Sequence, residues 1–326
     1  MQVPITELDV VFISYDEPNA DENFADLLNK CPWAKRSQGV HGSDAAHKAA
    51  ANLSETERFV GIDADNIVDP ELFNITIDTE KIKDDWVISW SGKNDVNGLV
   101  YGNGGIKCWP KKVVENMRTH EASNPDGPER SHVEFCWDVH YVQMNNIYSH
   151  VHNNSSPYQA YRAGFREGVK MSLSEGKKVL ERPLKDHLHY KNYNRLLVWL
   201  SVGADAENGL WALYGARLGC YKTNLEPDWD WSNVRDFVWH TEFWENEIAP
   251  QFKGDDAICP RTGYSYDQSK LITETQKLGR ALRNDLGLNV AEMDALNSKF
   301  FKEVYINPIR TAPLIRETQI EYEVFK

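Results

Sequence analysis

The run Phe59-Val60-Gly61-Ile62-Asp63-Ala64-Asp65-Asn66-Ile67-Val68-Asp69-Pro70 constrains this chain more than any other segment. A short apolar strand ends in two carboxylates one residue apart, and Pro70 helps close the turn that follows. Residues at i and i+2 of an extended segment point the same way. Asp63 and Asp65 therefore present oxygens to one hard cation at the carboxyl end of a strand. A divalent ion held by one or two carboxylates, with water and phosphate in its other positions, is the usual Mg²⁺ or Mn²⁺ arrangement at a diphosphate. An Asp-x-Asp triplet by itself is as readily a solvated turn with a helix cap, so its neighbours decide.

A chain of 326 residues can bury a large core and hold one sizeable domain or two smaller ones. Its 41% hydrophobic and 26% charged content is that of a soluble globular protein. The amino-terminal Met-Gln-Val-Pro-Ile-Thr-Glu-Leu-Asp lacks a basic region and a long apolar run, so no signal peptide is expected. No stretch reaches membrane-spanning length, and no membrane association is expected. Cys31, Cys108, Cys136, Cys220 and Cys259 are odd in number, scattered and without a Cys-x-x-Cys pair. That usage fits a reduced cytoplasmic protein with buried thiols. The 11 Trp and 14 Tyr are many for this length; aromatics fill cores, but they also line sugar sites and stack on bases.

A net charge of −13 argues against a protein that coats nucleic acid non-specifically. The charge is uneven, however. Between Tyr158 and Arg195 the bases Arg162, Arg166, Lys170, Lys177, Lys178, Arg182, Lys185, Lys191 and Arg195 outnumber Glu167, Glu175, Glu181 and Asp186. This basic island is either a solvated helix face or a surface for a polyanion.

Leu8 to Tyr15 reads as a first buried strand, closing on the polar loop Asp16-Glu17-Pro18-Asn19. Phe24, Leu27 and Leu28 give helical spacing over Asn23 to Asn29. The Ala-rich Ser43 to Asn52 opens on a capping signal and predicts a second helix. Strand, helix, helix, strand with parallel logic begins an open α/β sheet, whose ligands collect beyond the carboxyl ends of its strands. The Tyr15-Asp16-Glu17 loop and the Asp63–Asp65 turn both lie at such ends. Trp86 to Trp90 predicts another strand. Leu99 to Trp109 runs through Gly102-Asn103-Gly104-Gly105, and Pro110 starts a helix. The glycines there serve close backbone approach or a positive φ, as a ligand loop or a plain turn. Past about Ser172, helical patterns appear at Leu196–Leu200, Leu210–Leu218, Leu271–Leu286 and Ala291–Val304. The expected division is therefore 1–171 and a mostly helical 172–326.

In their order, Phe12–Asn19, Ser43–Lys48, Val60–Asp65, Gly102–Trp109, Glu134–Asp138 and His150–His152 resemble the GT-A class of nucleotide-sugar glycosyltransferases. The resemblance covers roughly residues 8–170 and is narrower still to the glycosyltransferases of hydroxymethylpyrimidine DNA, from phages and from base J synthesis. That narrower likeness rests on Gly102-Asn103-Gly104-Gly105 and on His152 to Glu167. It implies an open mixed sheet with flanking helices and a soluble enzyme of the cytoplasm, the host's if phage-encoded. It also implies transfer of a sugar from a nucleoside diphosphate, UDP first, to a hydroxymethyl group in DNA such as that of hydroxymethylcytosine. No obligate protein partner is evident.

On this resemblance Mn²⁺ or Mg²⁺ binds Asp65 directly, with Asp63 on the ribose or on a metal-bound water, and His150 or His152 completes the shell. Tyr15, Asp16, Glu17, Lys48, Gly104 and Gly105 line the nucleotide sugar. Arg162 and Arg166, at i and i+4 of a helix, clamp the diphosphate or form an exposed salt-bridged face. The acceptor hydroxyl must lose its proton as it attacks, and Asp138 is the first candidate base with Glu134 the alternative. Phe135, Cys136 and Trp137 around them suggest partial desolvation, which raises a carboxylate's pKa. With a base the anomer inverts; without one, a retaining front-face route stays open. Lys177, Lys178, Arg182 and Lys185 are the candidate DNA contacts. A glycan, protein or small-molecule acceptor, and a non-catalytic nucleotide-sugar-binding protein, are the competing readings.

Overall fold

The structure, a computed structural model, describes residues 2–101, 104–120, 135–136, 138–254 and 265–305. They fall into two compact units, 2–120 with 135–152, and 153–305.

The first unit is built on strands β1 (Gln2–Pro4), β2 (Asp9–Ser14), β3 (Lys35–Gln38), β4 (Arg58–Asp63), β5 (Asn66–Val68), β6 (Thr76–Asp78), β7 (Val87–Asn94), β8 (Val100–Tyr101), β9 (Lys107–Pro110) and β10 (Tyr141–Val151). Helices α1 (Ala20–Lys30), α2 (Ser43–Leu53) and the short α3 (Lys111–Asn116) accompany them. β1 and β6 form a small ribbon, and the rest form one sheet in the order β3-β2-β4-β9-β7-β10-β5, with β8 on β7. β3, β2 and β4 are parallel, β9 is antiparallel to β4 and β7, and β10 is again parallel to β7. The fold is therefore α/β, as the strand–helix alternation predicts, and the sheet is mixed where that alternation alone suggests parallel strands.

β2 shows why the sheet is covered on both sides. Val10 and Phe12 enter one core layer with Leu27 of α1, while Val11 and Ile13 enter another with Ala46, Ala50 and Ala51 of α2. A continuous apolar run is the signature of such a strand. Asp9 opens it and ties down the loop after α2. Its carboxylate accepts from the main-chain N–H groups of Glu55 (2.6 Å) and Thr56 (3.2 Å) and pairs with Lys35 at 2.9 Å.

The second unit is helical: α4 (Pro157–Met171), α5 (Tyr190–Ser201), α6 (Gly209–Leu225), α7 (Phe237–Phe243), α8 (Gln268–Leu286) and α9 (Ala295–Val304). Its division from the first falls after His152, earlier than the change in composition near Ser172 suggests, because α4 packs intimately on α6. A Cβ on Gly164 would lie 2.0 Å from the carbonyl oxygen of Ala212, and one on Gly168 2.1 Å from that of Ala216. Reciprocally, one on Gly215 would meet the Tyr161 oxygen at 2.2 Å, and one on Gly219 the Phe165 oxygen at 2.3 Å. Glycines four apart on both helices bring the two backbones together. Arg217, 1% exposed, then joins α5, α6 and α8. It donates to the carbonyls of Leu200 and Thr275 and forks onto Glu292 at 2.8 and 3.0 Å.

Cys31, Cys108, Cys136 and Cys220 are buried and unbridged. No helix among the described residues is long and apolar enough to cross a membrane.

Candidate active site

Because β3, β2, β4, β7 and β10 run one way, their carboxyl ends share one edge of the sheet. β2 delivers the Tyr15 loop there, β4 delivers Asp63, β7 delivers Asp95 and β10 delivers His152. β9 runs the other way, so its first residue, Lys107, meets the same edge.

The Asp63–Asp65 turn is held from several sides. Asn23 of α1 donates to the carbonyl of Ala64 at 2.8 Å. The buried Asn66 donates to the carboxylate of Asp65 at 3.0 Å and the carbonyl of Asp63 at 3.3 Å. The main-chain N–H of His152 donates to the carbonyl of Asp65 at 2.7 Å, and the Asn19 amide donates to the carbonyl of His152 at 2.9 Å. Both carboxylates remain half-buried, neither sealed in the core nor free on the surface.

His150, near the end of β10, and His152, just past it, face one carboxylate. Their Nδ1 atoms are 3.0 and 3.1 Å from the two oxygens of Asp95. Register shifts in β10 between Met144 and Ile147, and between Ile147 and His150, aim this end of the strand. Burial would raise the pKa of Asp95, but the two imidazoles outweigh it and bring it down to about 2. Of the two histidines, His152 is the one bonded to the Asp65 main chain, whereas His150 stands opposite Ile67.

Lys107 pairs across the sheet with Gly61, which puts its side chain on the face that carries Asp63. Its ammonium donates to the carbonyl of Gly105 at 3.0 Å. Crowding by protein pushes its pKa down, against the pull of Asp63 and Asp65. His47 of α2 lies on the same side, with Nδ1 donating to the Ser43 carbonyl at 2.8 Å and its ring 5.9 Å from that of Trp109. Burial pushes the His47 pKa down, while Asp63 pulls it up. Gly105 has to be glycine: a Cβ there would lie 1.9 Å from the Trp90 carbonyl oxygen. Gly104 has a φ of +70°. Gly102 and Asn103 lie outside the described residues.

Tyr15 and Asp16 are exposed at the same edge, where Glu17 accepts the Tyr15 N–H at 2.8 Å and the Tyr15 ring meets that of His41 edge-on. Lys48 is paired with Asp44 one turn back in α2 at 2.7 Å. Asp138 is exposed and accepts the Cys136 thiol at 3.4 Å. The desolvation expected from its aromatic neighbours is absent, because Phe135 turns toward His47 and Trp109 while Asp138 turns outward. Glu134 and Trp137 lie outside the described residues.

The remaining candidates belong to the second unit. Arg162 and Arg166 do share a face of α4, but both lie over the ring of Phe237, at 4.9 and 5.9 Å from its centroid. Arg162 also covers Tyr158. Beneath them, burial first and then the two guanidinium charges hold His240 down to about 3. In the basic island, Lys178 donates to the carbonyls of Glu226, Pro227 and Trp229, and Arg182 donates to those of Val179, Glu181 and Asn224. These two close the carboxyl end of α6, the place where cations are favoured. Lys177 and Lys185 are exposed.

Sequence reasoning overlooked Lys107 and Asp95. The former sits two residues after a glycine pair, and the latter directly follows a strand that runs on beyond Trp90, but only the order of the strands brings them to this edge. Among the described residues no group of three or more His, Cys, Asp or Glu side chains is set to hold a metal ion. Comparison with protein-family models, curated proteins and solved structures gives no match.

Proposed function

We propose that this chain is a metal-dependent glycosyltransferase of the GT-A type, moving a sugar from a nucleoside diphosphate to the hydroxymethyl group of a modified pyrimidine in DNA. The observation that carries the reading is the Asp63–Asp65 turn at the carboxyl end of β4, tied through the Asp65 carbonyl to His152. An enzyme of this kind leaves most positions on its cation to water and phosphate, so two protein donors suffice. Asp65 and His152 fit that donor set, and Asp95 on Nδ1 fixes the His152 ring as a carboxylate does behind a metal-bound imidazole. Mn²⁺ or Mg²⁺ bound there would supply Lewis-acid stabilisation of the leaving diphosphate. Asp63 serves the ribose or a metal-bound water, the Tyr15–Glu17 loop and Gly104-Gly105 frame the donor, and Asp138 or Glu134 takes the acceptor's proton.

One observation favours a second acceptor class, a glycan, protein or small molecule. Lys178 and Arg182 serve the end of α6, which leaves fewer of the basic island's charges for a phosphate backbone.

The test is incubation with Mn²⁺, a panel of nucleotide sugars and DNA containing 5-hydroxymethylcytosine or 5-hydroxymethyluracil, followed by mass spectrometry of the nucleosides. A hexose or pentose adduct that vanishes in chelator and in Asp65→Ala is the expected result. Donor turnover with unmodified DNA would move the acceptor to the second class. No consumption of any donor would overturn the enzyme reading.

A further inference from the structure

Lys107 stands out as a charged side chain at the carboxylate edge whose surroundings do not use it up. β9 places it opposite Gly61, on the face of β4 that also carries Asp63, where the Trp109 indole covers the glycine. It is half-buried and open to solvent in part. Among the described residues its ammonium, which carries three N–H donors, has one hydrogen bond, to Gly105, and no ion pair with Asp63 or Asp65. Yet it feels both carboxylates. A cation on the face of Asp63, with no ion pair to either carboxylate and two N–H donors beyond the one on Gly105, is equipped to meet an anionic ligand at this edge.

The sign of that occupant follows from the charges. Two carboxylates repel a diphosphate, and a divalent cation on Asp65 reverses the repulsion only where the metal sits. A fixed ammonium beside it offers a second positive point to the other phosphate oxygens. When the anomeric C–O bond breaks, its electron pair stays on the diphosphate oxygen, the acceptor oxygen forms the new bond, and the acceptor's proton passes to a carboxylate. One unit of negative charge thereby gathers on the leaving group, so a nearby ammonium is worth more in the transition state than in the ground state. Arg162 and Arg166, the sequence candidates for this task, are stacked on Phe237.

We propose that Lys107 is the diphosphate-binding cation of this chain, contacting non-bridging phosphate oxygens of the nucleotide while Gly105 holds its third donor. This rests on the glycosyltransferase reading and adds a residue that reading does not require.

Titration calorimetry with Mn²⁺ and each of UDP, GDP, ADP, CDP and dTDP, alongside the matching monophosphates, tests it. Lys107→Gln keeps a donor for the Gly105 carbonyl and removes the charge. It should weaken binding of the preferred diphosphate by about 10- to 100-fold, the range of a hydrogen bond to a charged group, and leave the monophosphate nearly unchanged. Lys107→Arg should recover part of the loss. If Lys107→Gln fails to melt cooperatively, Lys107→Met, with an unbranched apolar stem beside Gly61, carries the same comparison. Unchanged diphosphate affinity in the folded variant overturns the assignment and leaves the enzyme reading standing. A wild-type protein that binds none of the diphosphates overturns both.

Discussion

His152 donates its main-chain N–H to the carbonyl of Asp65 at 2.7 Å while its ring rests on Asp95 at 3.1 Å, so one residue links two strand ends that the sequence keeps far apart. Asp95 is thus a positioning residue for the imidazole. Asp95→Asn should lower Mn²⁺ affinity by about 10- to 100-fold, the usual effect of losing such a carboxylate. Electron paramagnetic resonance of free Mn²⁺ reads this directly, without turnover. Unaltered affinity would show that His152 is no ligand.

The base is a separate question from the metal. Asp138→Asn should leave donor binding intact and reduce transfer by about 10²–10⁴-fold. Because Asp138 is exposed, only a bound acceptor can desolvate it, and the rate loss should appear in transfer to acceptor far more than in donor hydrolysis. If Glu134→Gln shows the loss instead, the base lies upstream. If neither variant is slowed, front-face retention is the better mechanism.

The basic island divides into two pairs with different expected behaviour. Lys177→Ala with Lys185→Ala should reduce the slope of log K against log salt by about 1–2 if these exposed lysines meet phosphates. Lys178→Ala with Arg182→Ala should instead lower the denaturation midpoint, because carbonyls at the end of α6 lose their donors. A change in salt slope confined to the second pair would reverse this division.

The α4–α6 crossing predicts a large effect from a small substitution. Gly164→Ala places a methyl 2.0 Å from the Ala212 carbonyl, and the helices can relieve that only by separating. A loss of about 3 kcal/mol is expected, at the upper end for overpacking. Chemical denaturation measures it. Ala163→Gly, on the same helix but with its side chain half-exposed, should cost only the propensity difference of about 1 kcal/mol.

Asp9 sets an acid limit on stability. Burial raises its pKa, but the bonds from Lys35, Glu55 and Thr56 outweigh this, and the folded-state pKa lies below the ordinary 3.8. A carboxylate lowered by folding stabilises fully above its unfolded pKa, and the contribution disappears as pH falls through the folded one. Its side chain is only 13% exposed, so Asp9→Asn should cost about 2 kcal/mol at pH 7. The gap to wild type should close below about pH 4 in urea titrations. A gap independent of pH would mean that shape, not charge, holds the loop.

Much of the first unit was legible. The Leu8–Tyr15 and Phe59–Ile62 runs are strands within a residue or so of their expected ends, and Ser43–Asn52 is α2. Apolar runs and alanine-rich capping signals are local, so they survive folding. The Asp63–Asp65 pair was legible for the same reason. Lys107 and Asp95 were not, because their meaning depends on β9 entering antiparallel between β4 and β7, a relation between strands no local pattern encodes. β10 was missed as a strand: its run Met144 to His150 mixes polar and apolar residues across two register shifts and breaks the expected alternation. The early boundary at His152 was hidden too. Gly164 and Gly168 mark a helix crossing in space, whereas the helical patterns past Ser172 follow α4, the first helix of the second unit.

The burial of the thiols has a practical side. Burial carries Cys31, Cys136 and Cys220 up to about 12 and Cys108 up to about 11, so near neutral pH the reactive thiolate is at most about one in ten thousand of each. With Cys259 changed to Ser, a cysteine introduced at Leu180, which is 81% exposed beside the basic island, would take up a maleimide dye almost alone. The native protein thus comes prepared as a scaffold for a fluorescent reporter of whatever acceptor approaches that face.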